Sequence, residues 1–262
     1  MENKEDVMSL TQMKKSVKKL GYSTEMYGDP TLMRFLIARL MNPDKSAKMF
    51  VEWQKWRSSM VPNGFISESE ISDELEARKV FLQGLSRDGY PVMIAKVNNH
   101  FPSEDKLQFK KYIIYLLDKT IASSFRGREI GNEKLIAILD LQQITYKNID
   151  TRGVITAFQF LQAYYPERLA KCFILHMPLV FRKCLENDFS LPRQGNTRKE
   201  YLLSFQALLE YVENHRMIVI VSNNEERREF IKEVGEETLT EEYGGRAQPV
   251  AIQDVVLTPL EG

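Results

Sequence analysis

Few residues of this chain could do covalent chemistry, and their spacing argues against an enzyme. Gly84-Leu85-Ser86-Arg87-Asp88-Gly89 resembles a nucleophile elbow, but its second glycine comes one position late and the motif precedes a strand instead of joining strand to helix. It reads as a turn. Nothing matches a Walker loop, a dinucleotide glycine fingerprint or the HExxH of a zinc protease. His100, His176 and His215 are scattered, and each reads as a structural or surface residue rather than a base or ligand. Tyr243-Gly244-Gly245 has the glycines of a phosphate loop without a following helix, so a turn is expected there too. The two cysteines, Cys172 and Cys184, have neither metal-ligand nor disulfide-framework spacing. No cofactor, metal or catalytic group is expected, and binding is the chemistry left.

Composition narrows what could be bound. Lys plus Arg equals Asp plus Glu, 36 each in 262 residues, so charge gives no case for nucleic acid or for general attraction to anionic membranes. Any membrane contact must be local and partly apolar. The start, MENKEDVMSL, lacks the basic-then-apolar pattern of a signal peptide, and no window approaches the 18 or so apolar residues of a membrane span. The expectation is a soluble cytoplasmic protein.

The elements that would position a site fall into two groups. Residues 1–28 are polar, with Lys14, Lys15, Lys18 and Lys19 on what reads as a solvated helical face. Asp29 is placed to cap a helix beginning at Pro30, with Leu32, Phe35, Leu36 and Leu40 at helical spacing. Asn42-Pro43 repeats the signal ahead of Ala47, Phe50, Val51 and Trp53. After an acidic helix, Glu68 to Lys79, come four short apolar runs: Val92 to Val97, Leu135 to Leu139, Cys172 to Leu175 and Met217 to Val221. Helical patterns separate them, at Leu107 to Ser123, Thr151 to Ala163 and Tyr201 to Val212. Strands alternating with helices predict an α/β fold with a mostly parallel, helix-covered sheet. The expected division is a helical unit at 1–78, an α/β domain at 79–253 and a tail at 254–262.

One junction is odd. Tyr164-Tyr165-Pro166-Glu167-Arg168 runs straight into the buried-looking Cys172-Phe173-Ile174-Leu175. A cavity that takes a polar head on an oily tail needs that juxtaposition, and so does any helix-to-strand connection at a surface. A carrier of such a ligand faces a steep cost. Each exposed methylene costs about 0.8 kcal/mol, so moving two acyl chains through water would cost some tens of kcal/mol. Cargo must be exchanged on a bilayer, through an amphipathic lid.

The motifs resemble the CRAL-TRIO lipid-binding family, in the branch typified by yeast phosphatidylinositol transfer protein. The resemblance rests on DPTLMRFLIARL with SAKMFVEWQKWR, SRDGYPVMI, ILDLQQI, YYPERLAKCFILHMPLVF and LTEEYGG, in that order over roughly residues 28–253. It implies an apolar lipid cavity under a gating helix, after a small helical unit. It also implies phosphatidylinositol binding and transfer, or presentation to a lipid kinase, by a protein that visits membranes peripherally. Glu167 then corresponds to a head-group contact and Arg216 to its cationic partner, an arginine where the family has lysine. Otherwise Glu167 is an exposed turn residue paired with Arg168 or Lys171. The gate region takes in Phe181, Leu185, Phe205 and Leu209, within a stretch longer than the family's, which is alternatively an inserted loop and a packing helix. Leu135 and Ala137 replace the Ser and Thr of the family's choline-lipid site, Gln143 replaces a glycine, and His176 an asparagine. A less polar cargo of tocopherol or terpenoid type, or a protein-interaction module that no longer admits lipid, remains open.

Overall fold

The structure, a computed structural model, describes residues 4–125, 130–178 and 217–257. Helices α1 (Lys4–Lys19), α2 (Asp29–Ala38) and α3 (Pro43–Met60) pack around Met13, Val17, Leu32, Phe35, Leu36, Ala47 and Phe50. Tyr27, Phe35, Phe50 and Trp53 meet there largely edge to face, the arrangement aromatic quadrupoles favour. Asn42 caps α3 as expected, its side chain accepting from the Lys45 amide. Asp29 does not cap α2. Gly28 holds that position, and Asp29 stands inside the first turn, its carboxylate paired with Lys14 of α1. Leu40 also leaves the stripe assigned to it, because α2 stops at Ala38 and Leu40 and Met41 turn the chain at φ 52° and 58°.

The sheet has five strands in chain order: β1 (Val80–Leu85), β2 (Pro91–Lys96), β3 (Leu135–Asp140), β4 (Leu169–Leu175) and β5 (Ile218–Val221). β1 is an antiparallel edge and β2 to β5 run parallel. The expected strands are all present, and β1 is an addition. Ser86 to Gly89 makes the tight turn from β1 to β2, as the reading of Gly84 to Gly89 required. The acidic helix expected from Glu68 to Lys79 is instead a 3-10 turn (Glu68–Glu70) and a short α4 (Ser72–Glu76). Ile71, fully buried at φ −137°, breaks it by turning inward.

Alternation along parallel strands sends successive side chains to opposite faces. Val92, Ile94, Ile136, Ile138, Phe173 and Leu175 pack under α7 (Asn224–Val234), against Phe230 and Val234. The opposite face, with Met93, Leu135, Ala137 and Cys172, meets α5 (Lys106–Ala122) and α6 (Thr151–Tyr164). Asp105 caps α5 by accepting from the Leu107 and Gln108 amides, and Asp150 caps α6 through Gly153. No described helix is long and apolar enough to cross a membrane.

Candidate functional site

Between the sheet and α5 and α6 lies an apolar cavity of about 270 Å³. Its floor includes Met93, Ala95, Leu135, Ala137, Leu139, Cys172 and Ile174, and its roof Phe109, Ile113, Leu116, Val154, Ala157 and Leu161. This slot is walled mainly by apolar side chains. Leu135 and Ala137, which replace hydroxyl residues, sit in the floor and offer no hydrogen bond. Burial pushes the Cys172 thiol up to about 12, which leaves it an inert apolar wall group.

One end of the slot carries a buried polar chain that the sequence did not announce. Lys79 pairs with Glu74 and donates to His100 Nδ1 at 3.0 Å, and His100 Nε2 lies 3.2 Å from Asp150. Ammonium only donates, so Nδ1 accepts and Nε2 carries the proton to Asp150. Burial opposes the Asp150 charge, but His100 and the Gly153 amide outweigh it and hold its pKa below the usual carboxylate range. Three of the resembling motifs also meet on one buried carboxylate beyond the other face. Asp140 accepts from His176 Nδ1 and from the Tyr243 hydroxyl, each at 2.7 Å, and from the Gln142 amide at 2.9 Å. Burial, then the Asp140 contact, pushes the Tyr243 phenol pKa up. Gly244 follows at φ 94°, so Tyr243-Gly244-Gly245 is a turn as expected. No group of His, Cys, Asp and Glu among the described residues could hold a metal ion.

At the slot's other end stands the junction of α6 and β4. Tyr165 to Arg168 form a turn closed by the Arg168 amide on the Tyr165 carbonyl at 3.2 Å. Pro166 at its second position and a left-handed Glu167 (φ 59°) make it type II. The helical unit grips it. Trp56 stacks on Tyr164 at 3.9 Å, and the Tyr165 hydroxyl donates to Asp118 at 2.7 Å. Arg57 reaches Asp118 at 2.6 Å, and buried Arg34 donates to the Gly131 and Pro166 carbonyls at 2.6 and 3.1 Å. Burial weakens the Arg57 charge, but Asp118 more than restores it. Arg168 is held by Glu133 at 2.9 Å.

Glu167 itself points outward, about a third exposed, and its cationic neighbour is Lys134 at 3.6 Å. The expected partners are otherwise engaged, Arg168 with Glu133 and Lys171 with Glu233. Leu135 and Leu169, next to Lys134 and Arg168 in the chain, line the slot. Lys134 and Glu167 themselves are not among the residues that line it. Arg216, His215, Cys184, the gate residues Phe181, Leu185, Phe205 and Leu209, and the helix expected at Tyr201 to Val212 lie outside the described residues.

Residues 75–186 match the family described as the CRAL/TRIO domain. The Sec14 cytosolic factor of Schizosaccharomyces pombe is 25% identical over 221 residues, covering 78% of this chain and 77% of that protein. The phosphatidylinositol/phosphatidylcholine transfer protein SFH13 of Arabidopsis thaliana is 25% identical over 170 residues, 59% of this chain but 27% of its own length. Among solved structures, the crystal structure of Sfh5 superimposes with a TM-score of 0.57 at 14% identity, over 96% of this chain and 95% of that one. That likeness speaks for the fold.

Proposed function

Since residues 75–186 match the CRAL/TRIO domain and the chain is similar to a Sec14 cytosolic factor, we propose that it binds a phospholipid and moves it between, or presents it at, membranes, with phosphatidylinositol as the preferred cargo. The observation that carries the reading is the apolar slot between the sheet and helices α5 and α6. Acyl carbon buried in the slot supplies the driving force, at about 25 cal/mol for each Å² removed from water. Glu167, with two acceptor oxygens and a single loose ion pair among the described residues, accepts hydrogen bonds from inositol hydroxyls. Arg216 joins it as the cationic contact, and the stretch holding Phe181, Leu185, Phe205 and Leu209 acts as the gate. Exchange takes place on a bilayer surface, because an acyl chain released into water loses the whole of this stabilisation.

The test is native mass spectrometry of protein purified from a eukaryotic host, with the released lipids identified. A one-to-one complex with phosphatidylinositol that Glu167→Ala depletes is the expected result. Protein that stays empty after incubation with phosphatidylinositol-containing vesicles would sink the proposal and move the reading to a protein-interaction module. A second cargo class has its own observation. The floor carries Leu135 and Ala137 in place of hydroxyls, which favours an apolar lipid of terpenoid or tocopherol type. Such a cargo would be retained in full by Glu167→Ala.

A further inference from the structure

On the reading above that an apolar lipid lies in the slot, we propose that Lys79 and Tyr112 select which lipid that is. They are hydrogen-bond donors that hold a neutral oxygen in the buried part of the cargo. A chain that brings only hydrocarbon leaves both donors unspent, and one that carries a hydroxyl or carbonyl there satisfies them.

These residues belong to the cavity itself. Lys79, His100, Tyr112 and Asp150 are all wall residues. The Lys79 side chain is 6% exposed and Tyr112 is 2% exposed, so little water reaches either from outside the fold. The ammonium stands at the wall together with its stem. His100 lies 3.0 Å from it, and the Tyr112 and Phe109 ring centres lie 4.9 and 6.0 Å away, all three residues being wall.

Both groups have a donor to spare. An ammonium carries three N–H bonds. One goes to Glu74 and one to His100 Nδ1, and no third acceptor is present among the described residues. The ring faces of Tyr112 and Phe109 attract the charge but lack the directed lone pair of an oxygen. The Tyr112 hydroxyl also has no hydrogen-bond partner among the described residues. Burial, then the Glu74 charge, push its phenol pKa up and keep it a donor. Buried donors without acceptors are costly, and an oxygen with two lone pairs offers an acceptor to each. The other polar wall groups are spent. Lys96 pairs with Glu242 at 2.8 Å. The Asn148 amide donates to the Asn98 and His100 carbonyls at 2.8 and 3.0 Å, and its oxygen accepts from Thr145. Asn148 thereby fixes the His100 loop before any ligand arrives.

Charge selects a neutral oxygen over an anionic one. With His100 neutral, Glu74, Lys79 and Asp150 sum to one negative charge in a buried site. A carboxylate or phosphate placed beside them would add a second negative charge out of water, and a hydroxyl or carbonyl adds none.

The experiment incubates full-length protein with phosphatidylcholine vesicles doped in turn with hexadecane, hexadecanol, hexadecanoate or phosphatidylinositol, at about pH 8 so that the acid is ionised. Bound lipid is extracted and counted by gas chromatography or mass spectrometry. Hydrogen bonding to a charged donor predicts that wild type loads hexadecanol over hexadecane by about tenfold, with hexadecanoate below the alcohol. Tyr112→Phe should lower that preference severalfold. Lys79→Met leaves Glu74 buried and unpaired, so it is made together with Glu74→Gln, and this pair should abolish the preference while hexadecane still loads. Circular dichroism confirms that each variant is folded, and the wild-type series stands as a test should the double variant not fold. Equal loading of alkane and alcohol by wild type would overturn the proposal, as would an unchanged preference in Tyr112→Phe. Preferential loading of hexadecanoate would overturn it in favour of an acid site. Protein that loads phosphatidylinositol without telling alcohol from alkane removes this proposal alone, whereas protein that takes none of the four lipids removes the carrier reading with it.

Discussion

Replacing Glu167 by glycine and by alanine separates the backbone role of this residue from its chemical one. Both variants delete the carboxylate and the 3.6 Å pair with Lys134, which at about one-third exposure is worth no more than ~1 kcal/mol and typically a few tenths. They differ in the turn. A left-handed residue with a Cβ costs ~1–2 kcal/mol, and glycine escapes that cost while losing ~0.5–1 kcal/mol to its freer unfolded chain. Glu167→Gly should therefore be more stable than Glu167→Ala by about 1 kcal/mol, or ~3 °C in melting temperature for a chain of this size. It should equal or slightly exceed the wild type. The assay is urea or thermal unfolding followed by circular dichroism, run beside phosphatidylinositol transfer between vesicles. Transfer should fall in both variants alike, so that a protein stabilised at the turn is also a poorer carrier. Equal stability of the two variants would refute the strained turn. Wild-type transfer by both would refute the head-group role whatever the stability shows.

Gln143, exposed at φ 58° where the resembling family has glycine, should behave likewise without functional cost. Gln143→Gly should raise stability by ~0.5–1 kcal/mol in denaturant melts and leave lipid loading unchanged. Ala137→Leu adds three carbons to the slot floor and should cut lipid per protein in native mass spectra without lowering the melting temperature. Glu133 should give a measurable acid signature. Burial alone would raise its pKa, but Arg168 and the amides of Ile130 and Gly131 outweigh it and hold it below the usual carboxylate range. A depressed folded pKa means that the unfolded chain takes up this proton first as pH falls. The stabilisation is thus complete above the unfolded value and is lost as pH drops through the folded one. Glu133→Gln should flatten the fall in melting temperature from about pH 5 to about pH 3, and an unchanged slope would rule out this contribution.

Strands β2 to β4 were legible because they are largely buried and read as apolar runs, and half-buried β5 because it is a β-branched run. β1 was not, since Gln83 and Gly84 interrupt Val80 to Leu85 and an antiparallel edge needs no continuous apolar stretch. α7 escaped notice because Phe230, Ile231 and Val234 are its apolar residues among many charges, although Asn223 with Glu226 forms a capping box that could have marked it. At the site, the Tyr-Tyr-Pro-Glu-Arg junction was visible as a polar turn against a core strand. Its left-handed Glu167 was not, because glutamate carries no local preference for that conformation. Lys134 was missed for a different reason. It lies far from Glu167 in the chain and becomes its neighbour only through the pairing of β3 with β4. The chain from Glu74 through Lys79 and His100 to Asp150 is likewise assembled from three separate stretches, 74–79, 100 and 150.

The grip of Arg34, Trp56 and Arg57 on the turn has a consequence for cooperativity. The family match begins at residue 75, yet the buried carbonyls of Gly131 and Pro166 find their donor at residue 34. A fragment that began at the match would keep every strand and lose that donor, leaving two acceptors inside a collapsed surface at ~1–3 kcal/mol each. The stretch that the family match covers is therefore smaller than the part that must melt together. The three amino-terminal helices act as a splint for the turn, and mutations in them should be felt at the cavity's polar end.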